Sequence, residues 1–481
     1  MSLATGGKRQ LVLCLTRRYP SLFASFAPHP HPPYLRFEVG PSLVLLPCVY
    51  TDTATSCGAN LSDLGWRIKP VPGAVYGVGF DDGSWLEIGG DAGIPEGMKR
   101  WTEVNDAMLR LGLPLFIEAD VGKLGGSWLE DVIKLLKNLP TYNPFAPMSS
   151  SVSRMVSDPK ERLVSTFQTL YVGLVPSPPG KNSVIGRVSP SLFGLLSAME
   201  LLTHKGDGRK INGVYQIEGG FGSVASGLEE VLRERGVEVR LNETVGEIRE
   251  GYEGGVTVDG EGFDAVVCNI DIDTAEGGMV EGGEGGKAMQ SGSVLQMHWI
   301  TGGVKARDSL RCHNVFLADD DVGSWDGLRS QDGGDGGDVD AFNFYLHNPG
   351  KGDETACEGG GTSLMALVPL PAGCVLMEEE VEIWKVRVKE RVERRTGPLN
   401  ILYEQYTTPK DWEGRYGLPG GAVFGSSHGL GQLGPTRRGA KMTGVKGGFY
   451  VGASKRPGNG VPLVMIGARK TAEEVLKFLK V

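Results

Sequence analysis

At 481 residues the chain is long enough for two domains and a large apolar interior. Its formal net charge of −9 gives no electrostatic case for a nucleic-acid partner, and no apolar run reaches the ~18 residues of a membrane-spanning helix. The seven cysteines are scattered, odd in number and without a C-x-x-C pair, which points to an intracellular, reducing compartment; the seven histidines show no zinc spacing.

Residues 1–33 carry Lys8, Arg9, Arg17 and Arg18, and no acid precedes Glu38. RQLVLCLTRRYPSLFASF reads as part of an organelle transit peptide or as a mispredicted first exon, and is expected to lie outside the fold. His29 and His31 sit in HPHPPY, an expected extended linker. From Tyr34, YLRFEVGPSLVLLPCVY predicts a strand, a Gly-Pro turn and an apolar run. VYGVGFDDGSWLEI predicts a hairpin about Asp81-Asp82-Gly83. WLEDVIKLLKNL puts Leu129, Val132, Ile133 and Leu136 on one helical face, expected to be core, with lipid or a greasy substrate as the other reading. SLFGLLSAMELL from Ser191 is read the same way.

VYQIEGGFGSVASGLEEVLRERGVEVRLN predicts a strand, a helix from about Ser223 to Arg235 stopped by Gly236, and a half-buried strand VEVRLN. Gly220, Gly222 and Ala225 spell G-x-G-x-x-A here, with Glu243 about twenty residues on. The polar approach Ile217-Glu218 argues instead for a tight turn that lets the helix pack closely. VTVDGEGFDAVVCNID predicts a hairpin and a buried strand. The acidic glycine tracts at Gly277, Asp332 and Glu358 are read as loose surface insertions, because such chain buries too little apolar surface to offset its ordering entropy. VDAFNFYLHNP and SLMALVPLP predict strands, and EEEVEIWKVRVKERVERR a helix with a solvated charged face. FYVGASKRPGNGVPLVMIGARKTAEEVL closes the chain: an apolar strand, a turn crowded with Gly and Pro, and a helix. Such a turn suits a bound anion or flat cofactor, or an ordinary strand–turn–helix connection.

These blocks, in this order, resemble the phytoene desaturases and their relatives, the carotenoid isomerases and retinol saturases. RFEVGPS resembles their F-D-x-G-P-S block. VSDPKERLVSTFQTLYVGLVPSPPG resembles their F-x-x-L-Y-x-G-x-x-P segment, DAVVCNID their D-A-V-V-x-N-A-D strand, and YVGASKRPGNGVP their closing block. The resemblance implies an α/β fold: a discontinuous Rossmann-type FAD domain (34–90, 210–275 and 405–481) and an α+β substrate and membrane-associating domain (91–209 and 290–404). Flexible insertions are expected at 276–289 and 330–338. It implies that Gly40, Pro41 and Ser42 lie near the flavin, that Val245 offers backbone contacts to the adenine, and that Gly452, Ala453, Gly460, Val461 and Pro462 approach the isoalloxazine and its ribityl-phosphate arm. Gly458 and Gly460 would let main chain come close to a flat ring. A helix starting after Pro462 would aim N–H groups at the flavin edge where reduced flavin gathers negative charge.

The family's opening G-x-G-x-x-G and acidic ribose ligand have no counterpart in residues 1–33. The first strands and the ADP half of the site are therefore expected to be missing, through a truncated gene model or as a degenerate paralogue. The resemblance implies FAD-dependent desaturation of a carotenoid such as phytoene, with cis–trans isomerisation, retinoid saturation, or a non-catalytic apolar-ligand or scaffold role as alternatives. It further implies a long isoprenoid substrate and peripheral attachment to a plastid or other organelle membrane. No acid–base residue is identified; Asp158, Glu161 and Arg162 are expected to form surface salt bridges.

Overall fold

The computed structural model describes residues 11–14, 25–26, 37–118, 128–177, 187–202, 211–251, 254–286, 288–320, 322–325, 328, 340–356 and 361–480. In chain order its strands are β1 (Leu11–Cys14), β2 (Ser25–Phe26), β3 (Phe37–Glu38), β4 (Ile68–Pro70), β5 (Tyr76–Phe80), β6 (Trp85–Ile88), β7 (Tyr215–Ile217), β8 (Ile248–Glu250), β9 (Val256–Val258), β10 (Glu261–Phe263), β11 (Ala265–Cys268), β12 (Ser293–Thr301), β13 (His313–Leu317), β14 (Phe344–His347), β15 (Thr362–Leu370), β16 (Ile401–Thr407) and β17 (Gly448–Tyr450). The α-helices are α1 (Pro47–Ser56), α2 (Lys99–Gly112), α3 (Trp128–Asn138), α4 (Met148–Met155), α5 (Pro159–Val164), α6 (Leu195–Leu201), α7 (Gly222–Glu234), α8 (Ile272–Gly278), α9 (Lys305–Ser309), α10 (Glu378–Thr396), α11 (Pro409–Tyr416) and α12 (Val461–Leu479).

Two sheets position the site. The first is parallel, in the order β1-β11-β17. Apolar AVVC and GFY are buried on both faces, as a parallel sheet requires. Val475 and Leu479 of α12 pack on Ala265 and Phe449. The second has seven strands, β16-β12-β15-β14-β13-β5-β6, antiparallel except for β13 beside β5. Alternation divides its faces. Leu295, Met297 and Trp299 of β12 and Phe344 and Leu346 of β14 meet Val381, Trp384, Val388 and Val392 of α10. The residues between them, Gln296 and His298 on β12 and Tyr345 and His347 on β14, turn to the other side. The charges of α10 suit its dipole: three glutamates open it and Arg394 and Arg395 close it.

The hairpin at Asp81–Gly83 and the helix stop at Gly236 form as expected; Gly236 has φ +71° and its N–H bonds Arg233 O. Four expectations do not hold. VEVRLN keeps its alternation, with Val237 and Val239 half-buried, but pairs with no strand among the described residues; periodicity marks a face, whereas a strand needs a ladder partner. Leu11–Cys14, inside the stretch expected outside the fold, is an edge strand against β11. The tract from Gly277 is packed: Met279 and Val280 are buried, and the segment bonds Ile248 on both sides, through Ile248 N–H to Met279 O and Glu281 N–H to Ile248 O. Two apolar residues within the glycines suffice to anchor it. Finally, α3 is not a core helix. Trp128, Leu129, Ile133 and Leu136 are 42–59% exposed, while the helix packs on its neighbours through Asp131 and Leu135. His29, His31 and the tracts at Asp332 and Glu358 lie outside the described residues.

Trp384 is buried between α10 and the large sheet, edge-on to Phe342 at 4.8 Å. Trp384→Ala is expected to destabilise the protein by about 3–5 kcal/mol, read as a lowered midpoint in chemical denaturation.

Candidate functional site

The closing turn follows β17 and β11 at their carboxyl ends, the usual place for a ligand in a parallel α/β sheet. Its backbone departs from ordinary residues at three points: Gly452 has φ +111°, Gly458 +143° and Gly460 +93°. A side chain at Gly452 would strike Asn269 Oδ1 at 2.5 Å, and one at Gly458 would strike His428 Nε2 at 2.5 Å. Those two glycines are therefore explained by protein contacts. Gly460 is different, because nothing lies within 4 Å of where its Cβ would be. It fronts α12, whose first turn has no side-chain cap and no acidic residue, with Pro462 in the opening turn. Open space, bare backbone and an uncapped helix N-terminus coincide there, which is the donor arrangement an electron-rich ring edge or phosphate needs.

The turn is held from behind. The buried Arg437 guanidinium donates to the carbonyls of Ser426, Ser427, Gln432 and Ala453 at 2.8–3.1 Å. Burial lowers its pKa to about 10, so it remains charged at neutral pH. Asp271, at the end of DAVVCNID, caps α8 through Asp273 N–H and Thr274 N–H and also accepts from Ser454 Oγ. His428 Nε2 accepts the Asn459 N–H at 3.2 Å. Burial, and then Arg437, hold that imidazole far below its usual pKa, hence neutral.

The other residues named from the sequence lie as follows. Val44, Leu45 and Leu46, just after Gly40-Pro41-Ser42, share one apolar cluster with Val461, Leu463, Met465 and Ile466 of α12. The Gly40–Ser42 segment is clamped to the polar face of the large sheet. Gln296 Nε2 donates to Val39 O at 3.2 Å, His298 Nε2 lies 3.2 Å from Glu38 O, and Ser42 Oγ is 2.7 Å from Tyr345 Oη. Burial pushes His298 down to about 4, so its ring is neutral and offers the N–H to Glu38 O. Val245 is half-buried in a cluster with Cys268 and Tyr450, the last residues of β11 and β17. The F-x-x-L-Y block closes the other side: Asn459 Nδ2 donates to Tyr171 O at 3.4 Å, and Phe193 stands edge-on to His428 at 6.3 Å.

The G-x-G-x-x-A turn is no phosphate cradle. Its N–H groups are already taken by carboxylates, Phe221 by Glu38 Oε2 at 3.2 Å and Gly219 by Asp353 Oδ2 at 3.0 Å. Close helix packing, the sequence reading, is visible at Gly227, where a Cβ would lie 2.3 Å from Leu64 O. Among the described residues none of Asp158, Glu161 and Arg162 is ion-paired, against expectation: Asp158 caps α5 by accepting the Glu161 N–H, and Arg162 Nε donates to Val156 O at 2.7 Å. Sequence reasoning also missed Gln296, His298, His313, Tyr345 and His347. The available signal was polar residues alternating with Leu, Met, Trp and Phe in fully buried strands. Cys312, His313 and His347 bring donor atoms within 4.8 Å of one another. The two imidazoles stack with centroids 5.2 Å apart and ring planes 7° from parallel.

Residues 184–476 match the family of flavin-containing amine oxidoreductases. The chain belongs to that family. It is an oxidoreductase, and the FAD expected from the sequence is the cofactor that membership calls for. The chain is 26% identical to phytoene desaturase of Neurospora crassa (92% of this chain, 77% of that one) and 28% identical to a zeta-carotene-forming phytoene desaturase of Myxococcus xanthus (92% and 85%). It is 25% identical to a 4,4'-diapophytoene desaturase of Staphylococcus haemolyticus (92% and 90%). Its fold is that of cyclohexylamine oxidase from Brevibacterium oxydans (TM-score 0.57, 12% identity, 99% and 95% covered) and of a redesigned putrescine oxidase (0.55, 15%, 93% and 90%).

The residues present fit the flavin end of such a cofactor: the approach to Gly460 is open, and the first turn of α12 has no side-chain cap on its N–H donors. Gly460→Val is expected to give a folded protein whose flavin-to-protein absorbance ratio falls at least tenfold. Retention of flavin equal to the parent would show that the seat lies elsewhere.

Proposed function

We propose that the protein is an FAD-dependent desaturase of a long polyene, the substrate class of phytoene. One observation carries this reading: the turn leading into α12 touches the Tyr171 and Phe193 segments, through Asn459 on the Tyr171 carbonyl and His428 edge-on to Phe193, so the proposed flavin seat adjoins the substrate-side block. The names of the relatives support the substrate class.

Bound flavin supplies a two-electron acceptor for hydride. The chain's own residues do the rest. α12 directs uncapped N–H groups at the seat and favours negative charge there. Neutral His428 and the buried Arg437 fix the turn without adding a mobile charge. Val172, Leu174 and Phe193, all buried, with Leu192 and Leu196 against them, make the adjoining wall apolar. Such a wall excludes water and suits a hydrocarbon chain that has no polar handle. The polyene supplies its own activation, since the carbons that lose hydrogen flank double bonds.

Peripheral membrane attachment belongs to the same proposal. Among the described residues no helix is long and apolar enough to cross a membrane. The exposed row Trp128, Leu129, Ile133, Leu136, Leu139 and Phe145, with Lys134 and Lys137 beside it, has the amphipathic form of an interfacial helix and suits an anionic bilayer holding the substrate. A reducing compartment at an organelle surface belongs to the same reading.

Purified protein loaded with FAD and given phytoene in liposomes is expected to yield products with a longer conjugated system, seen as red-shifted absorption after extraction. Colourless protein that takes up no flavin on reconstitution would instead support a scaffold. The paired change Ile133→Glu and Leu136→Glu is expected to leave the fold intact. It should weaken liposome binding by about a hundredfold or more, since each lost aliphatic side chain is worth about 1.5–3 kcal/mol; flotation reads this directly.

A further inference from the structure

The interior holds a carboxyl that none of the preceding chemistry uses. Glu200 lies on α6 with no exposed surface. Its Oε2 accepts a hydrogen bond from Tyr76 Oη at 2.9 Å, and Tyr76 Oη accepts one from Tyr171 Oη at 3.4 Å. Both hydroxyls donate in one direction, inward to the carboxyl. Tyr76 is fully buried, whereas Tyr171 is half-buried, and its carbonyl is the one that holds Asn459 in the turn before α12. Tyr171 thus touches the turn through its carbonyl, while its hydroxyl lies inward beside Tyr345, whose own hydroxyl meets Ser42, and leads through Tyr76 to a sealed acid.

Among the described residues no cation pairs with Glu200. The groups that face it are Tyr76 from β5 and Gln168 from the 3-10 segment Phe167–Val172, with Tyr171 and Tyr345 next beyond. His313 lies behind Tyr345, 2.6 Å from its hydroxyl, and burial keeps that ring neutral. α2 packs on α6, but its Asp106 and Arg110 pair with each other at 2.9 Å. Burial accordingly raises the Glu200 pKa to about 8, within the working range of a proton acceptor. A buried acid lacking an ion partner costs stability, and a merely structural role would be served as well by Gln.

We infer that Glu200 receives, through Tyr171 and Tyr76, the proton released from the substrate; this rests on the desaturase reading. The balance is simple. One C–H electron pair leaves with its hydrogen as hydride to the flavin. The electron pair of the neighbouring C–H bond becomes the new π bond, and its proton passes to the Tyr171 oxygen. The Tyr171 proton moves to Tyr76, and the Tyr76 proton to the Glu200 carboxylate. Tyr171 is the catalytic residue of this path; Tyr76 and Glu200 act through it.

The sign of the pH dependence follows. Only the ionised carboxylate accepts a proton, so kcat should rise with pH through about 8. Glu200→Gln keeps the size and the acceptor for Tyr76. It is expected to retain flavin and KM within about twofold, lose about a hundredfold or more in kcat, and lose the rising limb. Glu200→Asp should keep the limb at a reduced rate. Tyr171→Phe removes a single hydroxyl and should lower kcat similarly. A second readout needs no substrate. The holoenzyme's infrared spectrum should contain a protonated-carboxyl band, absent from Glu200→Gln, whose exchange in deuterated buffer slows at least tenfold in Tyr171→Phe. An active parent whose variants keep its kcat and pH limb, or an exchange rate indifferent to Tyr171, overturns the proton path alone. A parent that shows the band and its exchange but leaves the polyene unchanged overturns the desaturase reading and, with it, the substrate assigned to this path.

Discussion

One constraint organises the molecule: a turn of left-handed glycines must be held rigid in front of a helix whose own N–H groups stay unused. Such backbone costs conformational entropy and offers no side chains to pack, so other elements must define it. Arg437 supplies most of that definition, gathering four carbonyls at 2.8–3.1 Å from the preceding Ser426–Gln432 segment and from the turn itself. Asp271 ties the same turn to the end of β11 through Ser454. Arg437 is a buried charge given to backbone carbonyls, Asp271 holds a side-chain hydroxyl, and the space before Gly460 stays clear.

The large sheet serves this turn from the opposite side. Its apolar face is closed by α10, and its other face carries hydrogen-bonding side chains that grip residues 38–42. Gln296, His298 and Tyr345 each reach that segment at 2.7–3.2 Å, so the stretch that carries Gly40-Pro41-Ser42 is set by side chains and not by a long ladder. A buried imidazole kept neutral, as His298 is, can do this without placing charge near a redox ring. The same face continues into Tyr345, Tyr171 and Tyr76, which lead away from the seat to Glu200. Seat, clamp and proton path are thus three uses of one buried polar surface within an apolar core.

How much of this could be read from the residues depended on the range of the interaction. The closing turn, the helix stop at Gly236 and the Asp81–Gly83 hairpin are local, because glycine spacing and capping act over a few residues. The clamp and the proton path are not local: Ser42 meets Tyr345 across 303 positions and Tyr76 meets Glu200 across 124. SAMELL shows one acid in an apolar helix, which marks Glu200 as unusual but names no partner. α3 illustrates a different limit. Its apolar spacing is real, but periodicity says that a face exists and not what covers it, and here Asp131 and Leu135 do the packing. VEVRLN failed for a related reason, since alternation cannot supply a neighbouring strand.

The account stands on the space before α12 being the place where the flavin ring lies. Hydrogen–deuterium exchange with and without FAD examines that backbone directly. The account predicts that FAD slows exchange most in the peptides spanning Val451–Val464 and Phe37–Val44, with little change in α10. Unaltered exchange in Val451–Val464, alongside clear protection elsewhere in a protein that binds FAD, would contradict it.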